Sequence, residues 1–511
     1  GRGGGGSDTA DGLHPYTVMR PSRLLLCLLP VPYARGHETL AYRTLFYDNA
    51  VDHTARGGNA TFSHRYLLND DFYGTAPLTP ACPGPIFLYA GNEGPITDFW
   101  EGNGFMHYLA QEYGGLLVFP EERYYGASYP TAPPDYTYLR TAQILGDYVA
   151  LLDDVRRRYA AEPCPAYAFG GSYGGTLAAY LRAAHPEAVQ GALASSAELG
   201  YYDRDAWADH GVTEYTFADT IGAQYDRSPG CLAALWDATD ALEDADDEVL
   251  MRTFRYCDAT ALLPGRAAAF LYGLEGLPQL NYPYAVGPRP AWPVARVCAL
   301  LTDASRTLLE RAAAADALAQ GYAPDGACRP TLPEGPGNVP GDGPGKGSWG
   351  YQSCTETLHT FSSHGREGRG IRPFNYTEEG GMLADRCREL YGVVPDVQLL
   401  TQAYGGYQIA RTASHIIFSV GALDPWGGAG LTADDGGPDA RARGMYFFRM
   451  ARGAHHLDLR GWHDDDPPDV TAVRRQEEAI LAGWMAEWAE DAAAAGAGAE
   501  TGVAPIVASV A

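Results

Sequence analysis

One serine stands in a setting that is typical of an activated nucleophile. Residues 170–175 read Gly-Gly-Ser-Tyr-Gly-Gly, which places Ser172 in a Gly-x-Ser-x-Gly motif. Glycines on both sides allow a sharp turn that holds the hydroxyl clear of the backbone. Because a hydroxyl is a weak nucleophile until a base takes its proton, this interpretation also requires a histidine and an orienting acid. A glycine-rich turn without chemistry is the alternative interpretation of the motif.

Candidates for the acid and the base follow the serine along the chain. Asp424 comes just after the apolar run 415–420, and a turn aspartate is the alternative interpretation of this residue. The next apolar run, 445–450, is followed by His455 and His456. The order serine, acid, histidine is that of the α/β-hydrolases. The residues themselves leave either histidine open as the base.

The charge that develops when a serine attacks a carbonyl needs backbone N–H groups close to the serine. One is expected from Tyr173, directly after the nucleophile, and the other from the loop after the apolar run 86–89. That loop reads Gly-Asn-Glu and contains Asn92 and Glu93. The sequence therefore predicts an oxyanion hole at these residues, although Glu93 is also compatible with an ordinary surface position.

Strands and helices that alternate along the chain would hold these groups in place. Apolar runs bounded by turn residues predict strands at 86–89, 115–119, 167–169, 415–420 and 445–450. Helical spacing of apolar residues predicts helices at 105–113, 142–159, 176–184 and 473–490. Such alternation favours a parallel sheet. Since the serine motif lies between a strand and a helix, the predicted fold class is α/β, with an α/β-hydrolase fold.

The alternation is interrupted over residues 201–394, which are rich in alanine, helical in character and contain six cysteines. We therefore predict one α/β-hydrolase domain in two parts, 37–200 and 395–490, with 201–394 inserted as a helical, disulfide-containing cap domain. Residues 1–36 are predicted to be a leader with a signal peptide, and residues 491–511 a low-complexity tail.

The leader prediction depends on the apolar run 24–31, which is preceded by two arginines and followed by small residues. This pattern is typical of a secretory signal peptide, with a short strand or an unstructured leader as the alternative. Asn59 and Asn375 each begin an Asn-x-Thr sequon, so glycosylation is predicted at both. The predicted location is the secretory pathway, ending in a lysosome or vacuole or outside the cell.

Composition excludes several classes of protein. Hydrophobic residues make up 46% and charged residues 20% of the 511, an ordinary globular balance. Lys and Arg total 37 against 63 Asp and Glu, and a net charge of −26 argues against nucleic acid as a partner. No apolar run in the sequence reaches the ~18–20 residues of a transmembrane helix. The acidic and histidine residues of 455–466 are better explained as a charged loop than as a metal site, and no cofactor is implied.

Eight motifs occur in an order that resembles one family of serine peptidases. They are Gly-Asn-Glu-Gly at 91–94, Arg-Tyr-Tyr-Gly at 123–126, the serine motif at 170–175, Tyr-Pro-Tyr at 282–284, Pro-Ala-Trp-Pro at 290–293, Tyr-Gln-Ser-Cys-Thr-Glu at 351–356, Leu-Asp-Pro-Trp at 423–426 and the segment 453–460. Over residues 42–488 the chain resembles the lysosomal Pro-Xaa carboxypeptidase family, whose branches are prolylcarboxypeptidase, dipeptidyl peptidase II and thymus-specific serine protease. The chain departs from the family at 121–123, where Glu-Glu-Arg replaces the usual Glu-His-Arg.

This resemblance implies a serine exopeptidase that hydrolyses peptide bonds on the carboxyl side of proline. It implies Ser172 as the nucleophile, Asp424 as the acid and His455, rather than its neighbour, as the base. His456 and Arg460 are then expected to pack around these three residues without contacting the substrate themselves.

The proline pocket has two candidate residues, Trp426 and Tyr351. A flat aromatic wall suits a pyrrolidine ring, which is apolar and has no N–H donor. The expected partners are peptides that contain proline, and a homodimer is left open.

Eight cysteines remain after Cys27 of the leader, an even number that predicts disulfides in a secreted chain. The resemblance implies three pairs in the cap, Cys231–Cys298, Cys257–Cys328 and Cys354–Cys387. The other two, Cys82 and Cys164, each precede a predicted strand. In an α/β-hydrolase sheet those strands are parallel neighbours whose starts share one edge, so we predict a Cys82–Cys164 bridge.

Three alternatives stay open at the level of sequence. The first concerns the substrate end, because the residues do not separate a Pro-Xaa carboxypeptidase from an Xaa-Pro dipeptidyl peptidase. The second is an esterase or lipase on the same fold, which would cleave esters but not bonds after proline. The third is a non-catalytic binding protein that uses the cap as an interaction surface, in which the serine would not react with a fluorophosphonate.

Overall fold

One eight-stranded sheet forms the centre of the fold. The computed structural model describes residues 39–55, 60–257, 266–321, 328–329, 347–374 and 376–500. The strands are β1 Arg43–Ala50, β2 Thr61–Asn69, β3 Ile86–Tyr89, β4 Leu116–Pro120, β5 Ala166–Gly171, β6 Gly191–Ser195, β7 Ser363–His364, β8 Pro373–Phe374, β9 Ile416–Gly421 and β10 Met445–Met450. Strands β7 and β8 form a separate two-stranded ribbon. The predicted leader and both sequons, at Asn59 and Asn375, lie outside the described residues.

The strand order across the sheet is β1-β2-β4-β3-β5-β6-β9-β10. Strand β2 is antiparallel to both of its neighbours, whereas every pairing from β4 to β10 is parallel. This is the α/β-hydrolase fold that the serine motif predicted. The five strands predicted from the sequence are all present, with small differences at their ends.

The central strands are apolar throughout because helices cover both faces of the sheet. Strands β3 to β6 are buried along their whole length, as expected for parallel strands that lie between two layers. Successive side chains enter opposite cores: Ile86 and Leu88 belong to one cluster, and Phe87 and Tyr89 belong to the other. The sheet is therefore rigid where it positions the loops at its carboxyl edge.

The α-helices lie between these strands, in the segment before β9 and, for the last helix, after β10. They are α1 Thr97–Trp100, α2 Gly104–Tyr113, α3 Thr141–Arg158, α4 Tyr173–Ala184, α5 Leu199–Tyr202, α6 Thr216–Asp226, α7 Cys231–Asp244, α8 Asp247–Phe254, α9 Arg266–Glu275, α10 Pro293–Leu301, α11 Leu308–Gln320, α12 Ser348–Thr355, α13 Tyr376–Tyr391, α14 Leu399–Tyr404, α15 Ile409–Thr412, α16 Ala433–Gly436 and α17 Pro468–Glu500. Helices α3 and α4 contribute to one core of the sheet, and α2 and α17 contribute to the other. None of the described helices has the length and apolar character needed to cross a membrane.

Helix α17 is longer than the helix predicted at 473–490. It continues to Glu500, into the residues that we predicted as a low-complexity tail. The reason is local, because this stretch is dominated by alanine, the residue with the highest intrinsic helix propensity.

The helical segment that precedes β9 has a core of its own. Apolar residues of α6 to α11, among them Leu235, Leu274 and Val297, form a cluster separate from the two that cover the sheet. The segment contains disulfides Cys231–Cys298, Cys257–Cys328 and Cys354–Cys387, with Cα–Cα distances of 5.1, 5.0 and 5.4 Å. The structure thus brings together the three cap pairs that the family resemblance implied.

A fourth disulfide joins Cys82 to Cys164, with 5.2 Å between the Cα atoms. It lies at the start of the neighbouring parallel strands β3 and β5, whose register pairs Ile86 with Ala166. The bridge therefore closes the amino edge of the sheet, on the side opposite the loops that carry the candidate site.

Candidate active site

The turn between β5 and α4 holds Ser172 in a conformation that only a few non-glycine residues adopt. Its φ of 61° and ψ of −131° lie outside the favoured regions, a strain that is often stored at functional sites. The glycines around it are sterically required. A Cβ on Gly170 would lie 2.0 Å from the Gly174 carbonyl oxygen, and a Cβ on Gly174 would lie 2.3 Å from the Gly91 carbonyl oxygen. The motif thus forms the sharp elbow that the sequence predicted.

Asp424 and His455 meet at the same edge of the sheet, after strands β9 and β10. Oδ2 of Asp424 lies 2.9 Å from Nδ1 of His455, and the carboxylate is fully buried. Its other oxygen accepts the backbone N–H of Trp426 at 3.2 Å. With the Nδ1 proton directed to the carboxylate, Nε2 of the imidazole is left without a proton, as a general base requires.

The electrostatics of His455 follow from this pair. Burial by itself would lower the pKa of the imidazole, but the Asp424 carboxylate, with contributions from Glu198 and Glu93, raises it above its ordinary value. The site therefore favours the imidazolium that forms when the histidine takes a proton.

The loop after β3 packs directly against the serine elbow. Nδ2 of Asn92 donates to the Gly171 carbonyl oxygen at 3.1 Å and contacts a Glu93 carboxylate oxygen at 3.2 Å. The side-chain oxygen of Asn92 accepts a hydrogen bond from Tyr89. These bonds hold the backbone of the loop beside the N-terminus of α4, which begins at Tyr173. The structure thus brings the predicted oxyanion residues to the serine.

The surroundings of Glu93 favour its neutral form. Burial raises the pKa of this carboxyl, and the nearby Glu198 raises it further.

Comparison with known proteins decides the family. The family described as Serine carboxypeptidase S28 matches residues 49–477, which is most of the chain.

This protein belongs to the S28 serine carboxypeptidases.

It is 30% identical over 469 residues to the lysosomal Pro-X carboxypeptidase of Mus musculus, covering 88% of this chain and 90% of that protein. The same enzyme of Homo sapiens is 30% identical over 476 residues, with the same coverage. The thymus-specific serine protease of Mus musculus is 26% identical over 452 residues, covering 83% and 84%. Membership of the S28 family makes the protein a serine-type peptidase.

In this S28 peptidase the Ser172 hydroxyl donates a hydrogen bond to a glutamate. Its Oγ lies 3.0 Å from Oε1 of Glu198, and this is the hydrogen bond that the hydroxyl makes among the described side chains, rather than one to His455. The hydrogen bond between the serine and the histidine of a serine hydrolase is often long in the unliganded enzyme and tightens when substrate binds. The described geometry therefore pairs Asp424 with His455, and Ser172 with a different carboxylate, that of Glu198.

Glu198 is held firmly as a carboxylate. It is 3% exposed, its Oε2 accepts the Tyr202 hydroxyl at 2.7 Å, and Nε2 of His359 lies 3.2 Å from the same oxygen. Burial opposes the charge, but His359, followed by the hydroxyls of Tyr202 and Ser172, keeps the pKa of Glu198 below its ordinary value.

Sequence reasoning missed both Glu198 and His359. Glu198 follows β6, the neighbour of β5, so the rule that ligands bind at the carboxyl ends of parallel strands would have singled it out. His359 lies after α12 in an irregular segment, and no local pattern marks it.

His456 and Arg460 lie on the same loop as His455 and make contacts around it. The backbone N–H of His456 donates to Ser196 Oγ at 2.9 Å, and its ring lies 4.4 Å from that of His455. Burial, then the neighbouring His455 and Arg460, keep the pKa of His456 well below its ordinary value, so the ring is neutral. The Arg460 guanidinium lies 4.7 Å from the ring of Tyr282, whose hydroxyl donates to the His455 carbonyl oxygen.

The two candidates for the proline pocket lie in different places. The Trp426 ring is 6.4 Å from that of His455 and 4.9 Å from that of His359, in a group of aromatic residues beside the base. The other members of this group are Tyr201, Phe217 and Phe361. Tyr351 instead packs against Tyr136 and Tyr391, in another aromatic group. The structure therefore places Trp426 beside the ring of His455, and Tyr351 in the other aromatic group.

The described residues contain no group of three or more His, Cys, Asp or Glu side chains suited to a metal ion.

Proposed function

We propose that this S28 peptidase is an exopeptidase that hydrolyses the bond on the carboxyl side of proline. The observation that carries the proposal is the buried Asp424–His455 pair, with 2.9 Å between Oδ2 and Nδ1, at the same sheet edge as the strained Ser172 elbow. The two relatives described as Pro-X carboxypeptidases support proline as the residue before the cleaved bond.

Acylation begins when the Ser172 hydroxyl turns from its carboxylate partner toward Nε2 of His455. Oγ attacks the proline carbonyl carbon while the histidine takes the proton, and Asp424 stabilises the imidazolium. The scissile C–N bond then breaks, and His455 returns the proton to the leaving amine. Backbone N–H groups of Tyr173 and of residues 91–93 stabilise the oxyanion.

Deacylation repeats these steps with water. His455 takes a proton from the water, whose oxygen attacks the ester carbonyl carbon, and returns that proton to Oγ of Ser172 as the ester bond breaks. The products are a peptide ending in proline and a free enzyme.

The aromatic group around Trp426 provides a surface for the pyrrolidine ring. Trp426 is held in place by a hydrogen bond from its indole N–H to Gln279 at 3.1 Å, and it lies on the same loop as Asp424. A ring held between flat aromatic faces is selected by shape and apolarity, since proline offers no N–H donor.

The cap and the location are part of the same proposal. Residues 201–394 act as the cap that limits access to the chain ends of peptides, between hydrolase parts at 37–200 and 395–490. The disulfides and the lysosomal relatives support a route through the secretory pathway. A homodimer stays a prediction.

Replacing the nucleophile tests the mechanism. Ser172→Ala should lower kcat on a peptide with a penultimate proline by about a millionfold, as losing the serine of a triad does. Ser305→Ala, at an exposed serine of the cap, serves as the matched control and should retain wild-type turnover. Circular dichroism of both variants checks that the fold is intact. Wild-type turnover by a folded Ser172→Ala protein would overturn the assignment.

A further inference from the structure

The carboxylate of Glu198 depends on the nucleophile for one of its hydrogen bonds. Oε2 is satisfied by Tyr202 and faces His359, whereas Oε1 accepts the proton of the Ser172 hydroxyl at 3.0 Å. Among the described residues no lysine or arginine pairs with Glu198. The resting site therefore contains a buried carboxylate oxygen whose donor is the group that reacts.

Acylation removes that donor. When Oγ of Ser172 forms the ester bond, its proton passes through His455 to the leaving amine, so the ester oxygen has no hydrogen left to donate. A buried carboxylate oxygen that loses its donor raises the free energy of the acyl-enzyme. A substrate that brings its own donor to Oε1 of Glu198 removes this cost and is therefore favoured.

The chemistry of proline limits which donor the substrate can bring. Proline at the acylating position has no N–H, so the nearest donor in the acyl group is the nitrogen of the preceding residue. In an Xaa-Pro dipeptide this nitrogen is the α-ammonium, a cation with several N–H groups. In a longer or acylated chain it is a neutral amide with one N–H. An ionised carboxylate prefers the cation, because charge-assisted hydrogen bonds are roughly twice as strong as neutral ones.

Glu93 is a second carboxyl group near Glu198. It lies on the oxyanion loop and is close enough to Glu198 for the two carboxyl groups to influence each other. A cation bound beside Glu198 would offset the repulsion from Glu198 that helps to raise the pKa of Glu93.

We propose that Glu198 determines specificity by binding the α-ammonium of an Xaa-Pro acyl group, which makes the enzyme an aminodipeptidase. This inference rests on the proposed cleavage after proline and adds the end of the peptide from which the enzyme works. It also assigns a role to a carboxylate that the Ser-Asp-His mechanism does not use.

Three substrates and three variants test the inference. The substrates are Ala-Pro-p-nitroanilide, its N-acetyl derivative, and benzyloxycarbonyl-Pro-Phe, a blocked peptide with a free C-terminal carboxylate. The wild type should prefer the free amine over the acetylated substrate. Glu198→Gln, which keeps the size of the side chain, should lower the ratio of the two kcat/KM values about ten- to a hundredfold, the value of one charge-assisted hydrogen bond.

Two further variants make the ratio interpretable. Glu490→Gln, at an exposed glutamate of α17, is the matched control and should keep the wild-type ratio. Tyr202→Phe removes a hydrogen bond from Glu198 but keeps the charge of the carboxylate, so this variant should retain the preference for the free amine. It provides a second measurement at the same carboxylate if Glu198→Gln folds poorly. Thermal melts of each variant report folding independently of the ratio.

The outcomes separate this inference from the proposal beneath it. An unchanged ratio in a folded Glu198→Gln protein, or a wild type that favours the acetylated substrate, would overturn the role of Glu198. Cleavage of benzyloxycarbonyl-Pro-Phe alone would overturn the aminodipeptidase assignment and leave cleavage after proline standing. If none of the three substrates were cleaved by an enzyme that hydrolyses esters, both proposals would fall.

Discussion

The hydrogen bonds of Asp424 allow the effect of replacing it with asparagine on catalysis to be worked out in detail. The carboxylate accepts two hydrogen bonds, one from Nδ1 of His455 at 2.9 Å and one from the backbone N–H of Trp426 at 3.2 Å. An asparagine amide keeps the second bond by directing its oxygen to the N–H. Its NH2 group then faces Nδ1 and donates to it. The imidazole proton therefore moves to Nε2, the nitrogen that has to accept the serine proton.

The expected loss is large because the fold stays intact while the base is held in the wrong tautomer. A substitution of this kind in a serine protease lowers kcat by about ten-thousandfold, which corresponds to roughly 5 kcal/mol of activation free energy. We expect a similar loss for Asp424→Asn.

The pH profile provides a second readout. The proposed mechanism requires the neutral form of His455, so we expect kcat/KM to rise as pH increases through the pKa of this residue. Burial opposes the charged imidazole, and mainly the Asp424 carboxylate raises the pKa of His455 above the ordinary value of about 6.5. The acid limb of the wild type should therefore lie above that pH, and it should move to lower pH in the variant, where burial remains and the carboxylate is gone.

The assay is steady-state hydrolysis of a substrate with a penultimate proline over a range of pH, for the wild type and Asp424→Asn. Asp464→Asn, an exposed aspartate in the loop after His455, is the matched control and should match the wild type in rate and profile. A variant that retains activity within tenfold of wild type, with an unmoved acid limb, would refute the role of Asp424.

Two further predictions concern stability. Replacing Cys82 and Cys164 together by alanine opens a loop that spans 82 residues, and chemical denaturation should show a loss of about 2–4 kcal/mol in the free energy of unfolding, with equal stability contradicting the bridge. Burial, and then Asp458, hold the pKa of Glu477 well above its ordinary value. The neutral carboxyl therefore stabilises the fold at low pH. This contribution is lost as pH rises above about 4.3, the pKa of a glutamate in the unfolded chain. Glu477→Gln should therefore raise the melting temperature near pH 7 more than near pH 4, and an equal change at both pH values would count against this account.

The parts of the site that follow from local sequence were predictable. The turn around Ser172 needs glycine at 170 and 174 because a Cβ at either position would collide with backbone, and that requirement is visible as a motif. Asp424 and His455 each come directly after an apolar strand, so the order of the strands was enough to place them.

The residues that sequence reasoning missed depend on contacts between distant segments. Glu198 reaches Ser172 because β5 and β6 are neighbours, and His359 reaches Glu198 from a segment more than 150 residues further along the chain. Tyr351 belongs to a family motif, and α12 places its ring against Tyr136 and Tyr391, in a different aromatic group from that of Trp426. These positions are set by packing between loops, which leaves no periodic pattern and no short motif in the sequence.

Cleavage after proline can be measured directly by product analysis of two matched peptides. A peptide with proline at the second position and again at the penultimate position is incubated with the enzyme, beside a copy in which both prolines are alanine. Mass spectrometry then identifies the products. We expect the first peptide to lose its N-terminal Xaa-Pro dipeptide while the alanine copy stays intact. Equal cleavage of the two peptides, or cleavage at bonds that do not follow proline, would contradict it.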